Sequence, residues 1–229
     1  MNIVVTGASR GIGYATVKEL ATAGHSVIGT ARSAEPLTQL AQEVPGKIST
    51  FTADLTDEES VDHLSEQITS TFAGVDVLIN NAGGLVNRSF EELTIHDWQK
   101  MIEVNLFSAV RLTKSVLPLL SAGSHIVNIS SMGGFQGSSK FPGLSAYSVA
   151  KGALVTLTEC LSAELADRDI SANALCLGAV ETEMFNAAFP DFEAPVNATQ
   201  MGSYLADFAV NGATYYNGKV LPVALSDPG

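Results

Sequence analysis

Tyr147 and Lys151 stand four residues apart, a spacing that puts both side chains on one face of a helix. A phenol can give or take a proton at a carbonyl or alcohol oxygen when a nearby cation favours its ionised form, and Lys151 carries such a cation. A serine hydroxyl can hold the same oxygen by a second hydrogen bond, and Ser130-Ser131 lies upstream at the end of an apolar run. Tyr-x-x-x-Lys alone is common on helix surfaces. Here it opens a helical stretch after a strand, a Ser-Ser and a Gly- and Ser-rich loop over 132–144, long enough to fold back. The pattern is that of acid–base work at a carbon–oxygen bond. With the ammonium on the order of 4 Å from the phenol oxygen and an effective dielectric of about 20, the attraction is roughly 4 kcal/mol. That lowers a tyrosine pKa by about three units from its ordinary value near 10, with desolvation opposing the shift.

Such groups need a scaffold, and the chain begins with one. Residues 2–6 are a short apolar run, followed at once by Gly7-Ala8-Ser9-Arg10-Gly11-Ile12-Gly13. Ile12, Thr16 and Leu20 then recur four apart, the face of a helix ending near Gly24. Glycines let a ligand approach the main chain, and free N–H groups at a helix start attract phosphate. Further strands are read at 26–30, 48–53, 75–79, 124–130, 170–177 and 219–223. Helices are read up to about 43, from a capping box at Thr56-Asp57-Glu58-Glu59 to about 72, over 96–120, 146–167 and near 199–210, with 178–198 irregular. Strands alternating with helices predict an α/β fold: a single-domain, Rossmann-type, doubly wound parallel sheet of about seven strands with helices on both faces. Ligands in such sheets bind beyond the C-terminal strand ends, where the glycine turn, Arg32, Asp54, Asn80-Asn81-Ala82-Gly83, Ser130-Ser131 and 178–182 all fall.

The 229 residues, 46% hydrophobic and 16% charged, suit one well-buried domain rather than disorder. A formal charge of −12 argues against nucleic acid and anionic membrane as partners. No apolar run approaches membrane-spanning length, and no signal-peptide pattern opens the chain, so a cytoplasmic setting is expected. Cys160 and Cys176 read as small core residues without metal-binding spacing. The Asn-x-Ser/Thr triplets at Asn87, Asn128 and Asn197 read as chance matches.

Thr6-Gly7-x-x-x-Gly11-x-Gly13, Asp54, Asn80-Asn81-Ala82-Gly83, Asn105, Ser131 and Tyr147-x-x-x-Lys151 together resemble the short-chain dehydrogenase/reductase family, in its compact branch. The resemblance covers residues 1–182 by specific motifs and 199–223 more loosely. It implies a nicotinamide cofactor and hydride transfer between the nicotinamide and a carbonyl or secondary-alcohol carbon. It implies that Tyr147 is the acid/base, Lys151 its pKa modulator and a ligand of the nicotinamide ribose, Ser131 the substrate-oxygen clamp, and Asn105 the holder of a proton-relay water. The implied cofactor contacts are Gly7, Ser9, Arg10, Gly11, Ile12, Gly13, Arg32, Asp54, Leu55, Asn81, Ala82, Gly83, Tyr147, Lys151, Gly178, Val180 and Thr182, with Asp54 at the adenine. The family also implies a homodimer or homotetramer through its two long helices. Two features depart from its pattern: Leu177-Gly178 stands where Pro-Gly is frequent, and Ser131 and Tyr147 lie further apart than is usual, which keeps Ser130 as a rival.

An NAD-preferring site places an acid after the second strand, whereas a 2′-phosphate needs cations. This chain has Ala31 in that slot, with Arg32 beside it and Arg10 in the glycine turn, so NADP(H) is expected, with NAD(H) as the alternative. The substrate is a small carbonyl or alcohol. Phe135, Phe141, Met184, Phe185 and Phe189 suggest an apolar pocket, and 183–199 a short substrate-side lid that leaves the pocket open or completed by another subunit. A non-catalytic dinucleotide sensor or scaffold would be expected to lose part of the Asn105/Ser131/Tyr147/Lys151 set, and a sugar-nucleotide epimerase or dehydratase would need a larger C-terminal region.

Overall fold

The seven long strands alternate between two helical layers, and the alternation can be read residue by residue in β1. A computed structural model describes residues 1–225. In β1 (Asn2–Thr6), Ile3 and Val5 face one layer and Val4 the other. The first layer is α1 (Gly11–Thr22), α2 (Ala34–Glu43) and α8 (Ala198–Asn211), which bring Val17, Leu20, Leu37, Met201 and Leu205. The second includes α3 (Glu58–Thr71) and α5 (Ser108–Val116), which bring Leu64, Ile68, Leu112 and Val116. Side chains of period two sandwiched between two helical layers are what a doubly wound sheet requires.

The sheet runs β3 (Ile48–Thr52), β2 (Ser26–Ala31), β1, β4 (Val75–Asn80), β5 (Leu120–Ser131), β6 (Ser171–Leu177), β9 (Val220–Val223), with every neighbouring pair parallel. The chain winds outward from β1 to β3, returns, and winds the other way from β4. The switch therefore lies between β1 and β4, whose C-terminal ends flank a crevice.

Several boundaries differ from the periodicity reading. The helix over 96–120 is α4 (Ile95–Ile102), a π turn over Glu103–Phe107, α5 and a 3₁₀ turn over Leu117–Leu119. Pro118 cannot donate to a continuing helix, and the chain passes into β5 at Leu120. Thr56 is not the cap of α3: Asp57 is, accepting from Ser60 N, while Thr56 turns back to Asp54. Within the stretch read as irregular, β7 (Val180–Glu181) pairs with β8 (Val196–Asn197) around α7 (Glu183–Ala188), capped by the Thr182 side chain. Cys176 is buried as expected, but Cys160 is exposed, because it lies on the outer face of α6 (Ser145–Glu164). Among the described residues no helix is long and apolar enough to cross a membrane.

Candidate active site

A cleft of about 590 Å³ opens along the C-terminal strand ends, and every catalytic and cofactor-binding candidate read from the sequence lines it. At its centre the glycine turn takes backbone shapes closed to most residues: Gly7 has φ +68° and Gly11 φ +57°. Gly13 is demanded by proximity, since a Cβ there would sit 2.3 Å from the Gly7 carbonyl oxygen. The first-turn N–H groups of α1 lack helical acceptors and border the cleft at Gly11, Ile12 and Gly13, a cradle suited to phosphate. The opposite wall is pinned to the same strand end. Thr6 Oγ1 accepts from Asn81 N at 2.9 Å and Ala82 N at 2.8 Å, and Asn81 Nδ2 donates to the Thr6 carbonyl at 2.9 Å. Thr6 itself is buried; the sequence motif names it, but its grip on the 81–82 backbone depends on β4 lying beside β1.

Towards one end lie Thr30, Ala31, Arg32, Ser33, Asp54 and Leu55. The Asp54 carboxylate accepts from Thr56 N at 3.0 Å and Thr56 Oγ1 at 2.7 Å, and these bonds hold its pKa below the usual carboxylate value. The buried Thr30 hydroxyl has no partner among the described residues, an acceptor and donor left over at this end of the cleft. Donors, a close-approach glycine turn and this orphan hydroxyl fit a dinucleotide. Arg10 and Arg32 both border the cleft, but Arg10 pairs with Glu183 at 2.6 Å, a partner 173 residues away that sequence reading missed.

The polar groups of the proposed chemistry meet further along. Ser130 is buried and its hydroxyl donates to the Lys151 carbonyl at 2.9 Å, within the protein fabric. Ser131 is the serine adjoining Tyr147, and its hydroxyl acts to lower the phenol's pKa. The Ser131 Oγ also accepts from Gly133 N at 3.1 Å, which starts the 3₁₀ turn Met132–Gly134. Lys151 Nζ donates to the Ile129 carbonyl at 2.8 Å and lies over the Tyr147 ring, 5.9 Å from its centroid. The expectation of a phenol brought towards neutrality is not met in the protein alone. Burial raises the Tyr147 pKa more than the neighbouring Ser131 hydroxyl lowers it, and Lys151 itself is pushed down to about 8 by desolvation. The reason is geometric: the ammonium is aimed at a carbonyl and at the ring face rather than at the phenol oxygen.

Asn105 sits in the π turn, and there its side chain turns inward. Its Nδ2 donates to the Gly84 carbonyl at 2.9 Å and the Met101 carbonyl at 3.0 Å, and its Oδ1 accepts from Gly84 N at 3.2 Å. The amide thus bonds to backbone and ties α4 to the loop after β4. A Cβ on Gly83 would lie 2.8 Å from the Asn105 Oδ1, so glycine is required for that approach.

On the far side Phe141, Leu144, Met184, Phe185, Phe189 and Phe192 line the cleft. Phe135 does not; its carbonyl instead accepts from Ser138 Oγ at 2.9 Å and Lys140 Nζ at 2.6 Å, so the long Ser131–Tyr147 connection is absorbed in a turn of its own. Gly178, where the family often has Pro-Gly, donates its N–H to the Val223 carbonyl at 3.0 Å and leads into Val180 and Thr182 beside Gly11.

The family described as short chain dehydrogenase matches residues 1–192. A fatty acyl-CoA reductase of Acinetobacter baylyi is 38% identical over 188 residues, 79% of this chain and 63% of that protein, so the chain spans less than two thirds of that relative's length. The 3-oxoacyl-(acyl-carrier-protein) reductase FabG of Escherichia coli is 32% identical over 96% of this chain and 94% of that protein. A dehydrogenase/reductase structure from Sinorhizobium meliloti superposes with TM-score 0.89 at 27% identity, covering 100% of this chain and 95% of that one. A Beutenbergia cavernae structure with NADP bound at low occupancy has TM-score 0.87 at 32% identity, covering 97% and 94%.

Proposed function

The chain belongs to the short-chain dehydrogenase family and is an NAD(P)-binding oxidoreductase, and on that premise we propose an NADP(H)-dependent carbonyl reductase with Tyr147 as its acid. The single observation that carries this reading is the pairing of Tyr147 with Ser131 beside a buried ammonium at the floor of a dinucleotide-sized cleft. When bound, the nicotinamide supplies hydride to the carbonyl carbon.

Everything else falls to the chain's own side chains. Ser131 holds the carbonyl oxygen and Tyr147 delivers the proton to it as charge develops. A phenol whose pKa burial raises is protonated at neutral pH, which favours reduction over alcohol oxidation. Lys151, at about 8, is mostly cationic at pH 7 and lies over the Tyr147 ring, so its charge favours the phenolate left behind, and in this reading it also holds the nicotinamide ribose. Asn105 acts by fixing the Gly83–Gly84 loop against the cofactor. Gly7 to Gly13 take the pyrophosphate, Asp54 and Leu55 the adenine, and Arg10 with Arg32 the 2′-phosphate; Asn81, Ala82, Gly83, Gly178, Val180 and Thr182 flank the remainder.

In this reading the chain is one cytoplasmic domain with 183–199 as its substrate-side lid. It forms a homodimer or homotetramer through α4–α5 and α6, where Phe107 and Val149 are exposed. The test is turnover of a ketone panel followed at the nicotinamide absorbance. NADPH should exceed NADH in kcat/KM, and Ala31→Asp should move preference towards NADH. A bidentate phosphate contact is worth about 1.5–3 kcal/mol, so Arg32→Ala should lower kcat/KM with NADPH by about tenfold or more. Equal or better turnover with NADH refutes the cofactor assignment, and no turnover with either returns the chain to a dinucleotide-binding sensor.

A further inference from the structure

We infer that the substrate is a neutral ketone bearing an aromatic or compact apolar group, and not a polyanionic thioester of the kind the relatives' names specify; the inference rests on the reductase reading. Its first support is a built aromatic wall. Phe185 and Phe189 lie 5.2 Å apart between ring centroids, Phe189 meets Phe141 at 6.1 Å, and Phe185 meets Phe192 at 5.9 Å. These rings come from two separate segments that other bonds hold together. Asn87 Nδ2 donates to the Ala188 carbonyl at 2.8 Å, anchoring the end of α7, and Arg88 N donates to the Gly143 carbonyl at 3.0 Å, anchoring the loop that carries Phe141. Facing the Ser131–Tyr147 pair, this part of the cleft is lined by Phe141, Leu144, Met184, Phe185, Phe189 and Phe192, a surface that rewards flat apolar groups.

The second support is the charge at the mouth. Residues 179–198 carry Glu181, Glu183, Asp191 and Glu193 and no Lys or Arg, and all four acids are exposed. Of the nearby cations, Arg10 pairs with Glu183 and Arg88 with Asp97, while Lys140 Nζ donates to the neutral Phe135 carbonyl and Ser138 Oγ and keeps its charge, so the acids remain in excess. A coenzyme A tail or an acidic carrier protein would have to cross this rim against its field, whereas a neutral ketone would not. The reaction balances: hydride from NADPH adds to the carbonyl carbon, the Tyr147 proton goes to its oxygen, the phenolate is reprotonated from solvent, and the products are a secondary alcohol and NADP⁺.

Three probes separate the possibilities: acetophenone, the 3-oxobutanoyl thioester of N-acetylcysteamine, and 3-oxobutanoyl-coenzyme A. Each is titrated calorimetrically into the NADP⁺-loaded protein and, in parallel, assayed for NADPH oxidation. Both neutral probes should bind, and the coenzyme A thioester should bind about tenfold or more weaker than its neutral analogue, with the gap closing as salt is raised. Phe189→Ala should raise KM for acetophenone about tenfold while leaving the NADPH Kd unchanged. Tighter or equal binding of the coenzyme A thioester overturns the inference, as does failure of both neutral probes to bind or an unmoved KM in Phe189→Ala. Neutral probes that bind without any NADPH oxidation uphold the apolar site and refute the reductase reading instead.

Discussion

Replacing Lys151 with methionine should stabilise the cofactor-free protein at neutral pH while abolishing turnover. Lys151 is 4% exposed, and the acceptor of its ammonium among the described residues is the Ile129 carbonyl at 2.8 Å. No carboxylate pairs with it there, so burial dominates and lowers its pKa from 10.5 to about 8. That fall corresponds to roughly 3 kcal/mol of destabilisation while the group is charged. The sign follows from proton uptake. Between pH 8 and 10.5 the unfolded chain binds the proton and the folded one does not. The penalty is therefore full below pH 8, and stability is recovered as pH rises towards 10.5. Methionine fills much of the volume without a charge but leaves the Ile129 carbonyl unpaired, which costs about 1 kcal/mol. The net gain at pH 7 is about 2 kcal/mol, a rise in Tm on the order of 4–8 °C for a chain of this length. Thermal unfolding by circular dichroism without cofactor, at pH 7 and again near pH 10, checks both magnitude and sign. A variant melting at or below the wild type at pH 7, or gaining equally at both pH values, would refute the reasoning. The same protein should show no NADPH oxidation, since the cation beside Tyr147 is gone.

Other outcomes follow from particular contacts. Ser131→Ala should cut turnover about 10²-fold through loss of a transition-state hydrogen bond, whereas Ser130→Ala should lose about 1 kcal/mol of stability and little turnover, because its hydroxyl serves the Lys151 carbonyl; kcat and urea melts distinguish them. Glu183→Gln frees Arg10 from an exposed pair worth about 0–1 kcal/mol, so the NADPH Kd should tighten by up to about fivefold at low salt with NADH unaffected; an unchanged Kd removes Arg10 from the phosphate site. His125 is buried between the Ala209 carbonyl and Asn173 Nδ2, each at 3.0 Å, so Nδ1 carries the proton and Nε2 accepts. Asn173 Nδ2 also donates to the Tyr216 carbonyl, so reorienting the amide to suit a protonated ring would break that bond. Burial lowers the His125 pKa from 6.5 to about 4, and its neutral form adds stability that is full above pH 6.5 and lost as pH falls towards 4, by roughly 3 kcal/mol. His125→Gln should flatten that part of the acid slope in denaturant melts, and an unchanged slope would assign it to carboxylates alone.

The sequence by itself determined the parts of this protein whose physics is local. A strand running into Gly7, Gly11 and Gly13 requires a tight phosphate-sized turn wherever it occurs, and Tyr147 and Lys151 share a helix face because α-helices repeat at 3.6 residues. Alternating apolar runs and helices dictate a parallel sheet, and the sheet's C-terminal edge then collects every flagged segment into one cleft. What only the tertiary structure decided depends on neighbours remote in sequence. Thr6 matters because β4 returns beside β1, and Glu183 meets Arg10 because α7 folds over the glycine turn. Asn105 turns onto Gly84 because the helix opens by one residue over Glu103–Phe107, a change in hydrogen-bond register that no apolar periodicity announces. Cys160 faces outward although its stretch is apolar on average, since a helix packed on a sheet buries one side only. The direction of the Tyr147 shift was set the same way: spacing names the cation beside the phenol, but the balance between attraction and desolvation is fixed by how deeply packing buries both groups and where it aims the ammonium.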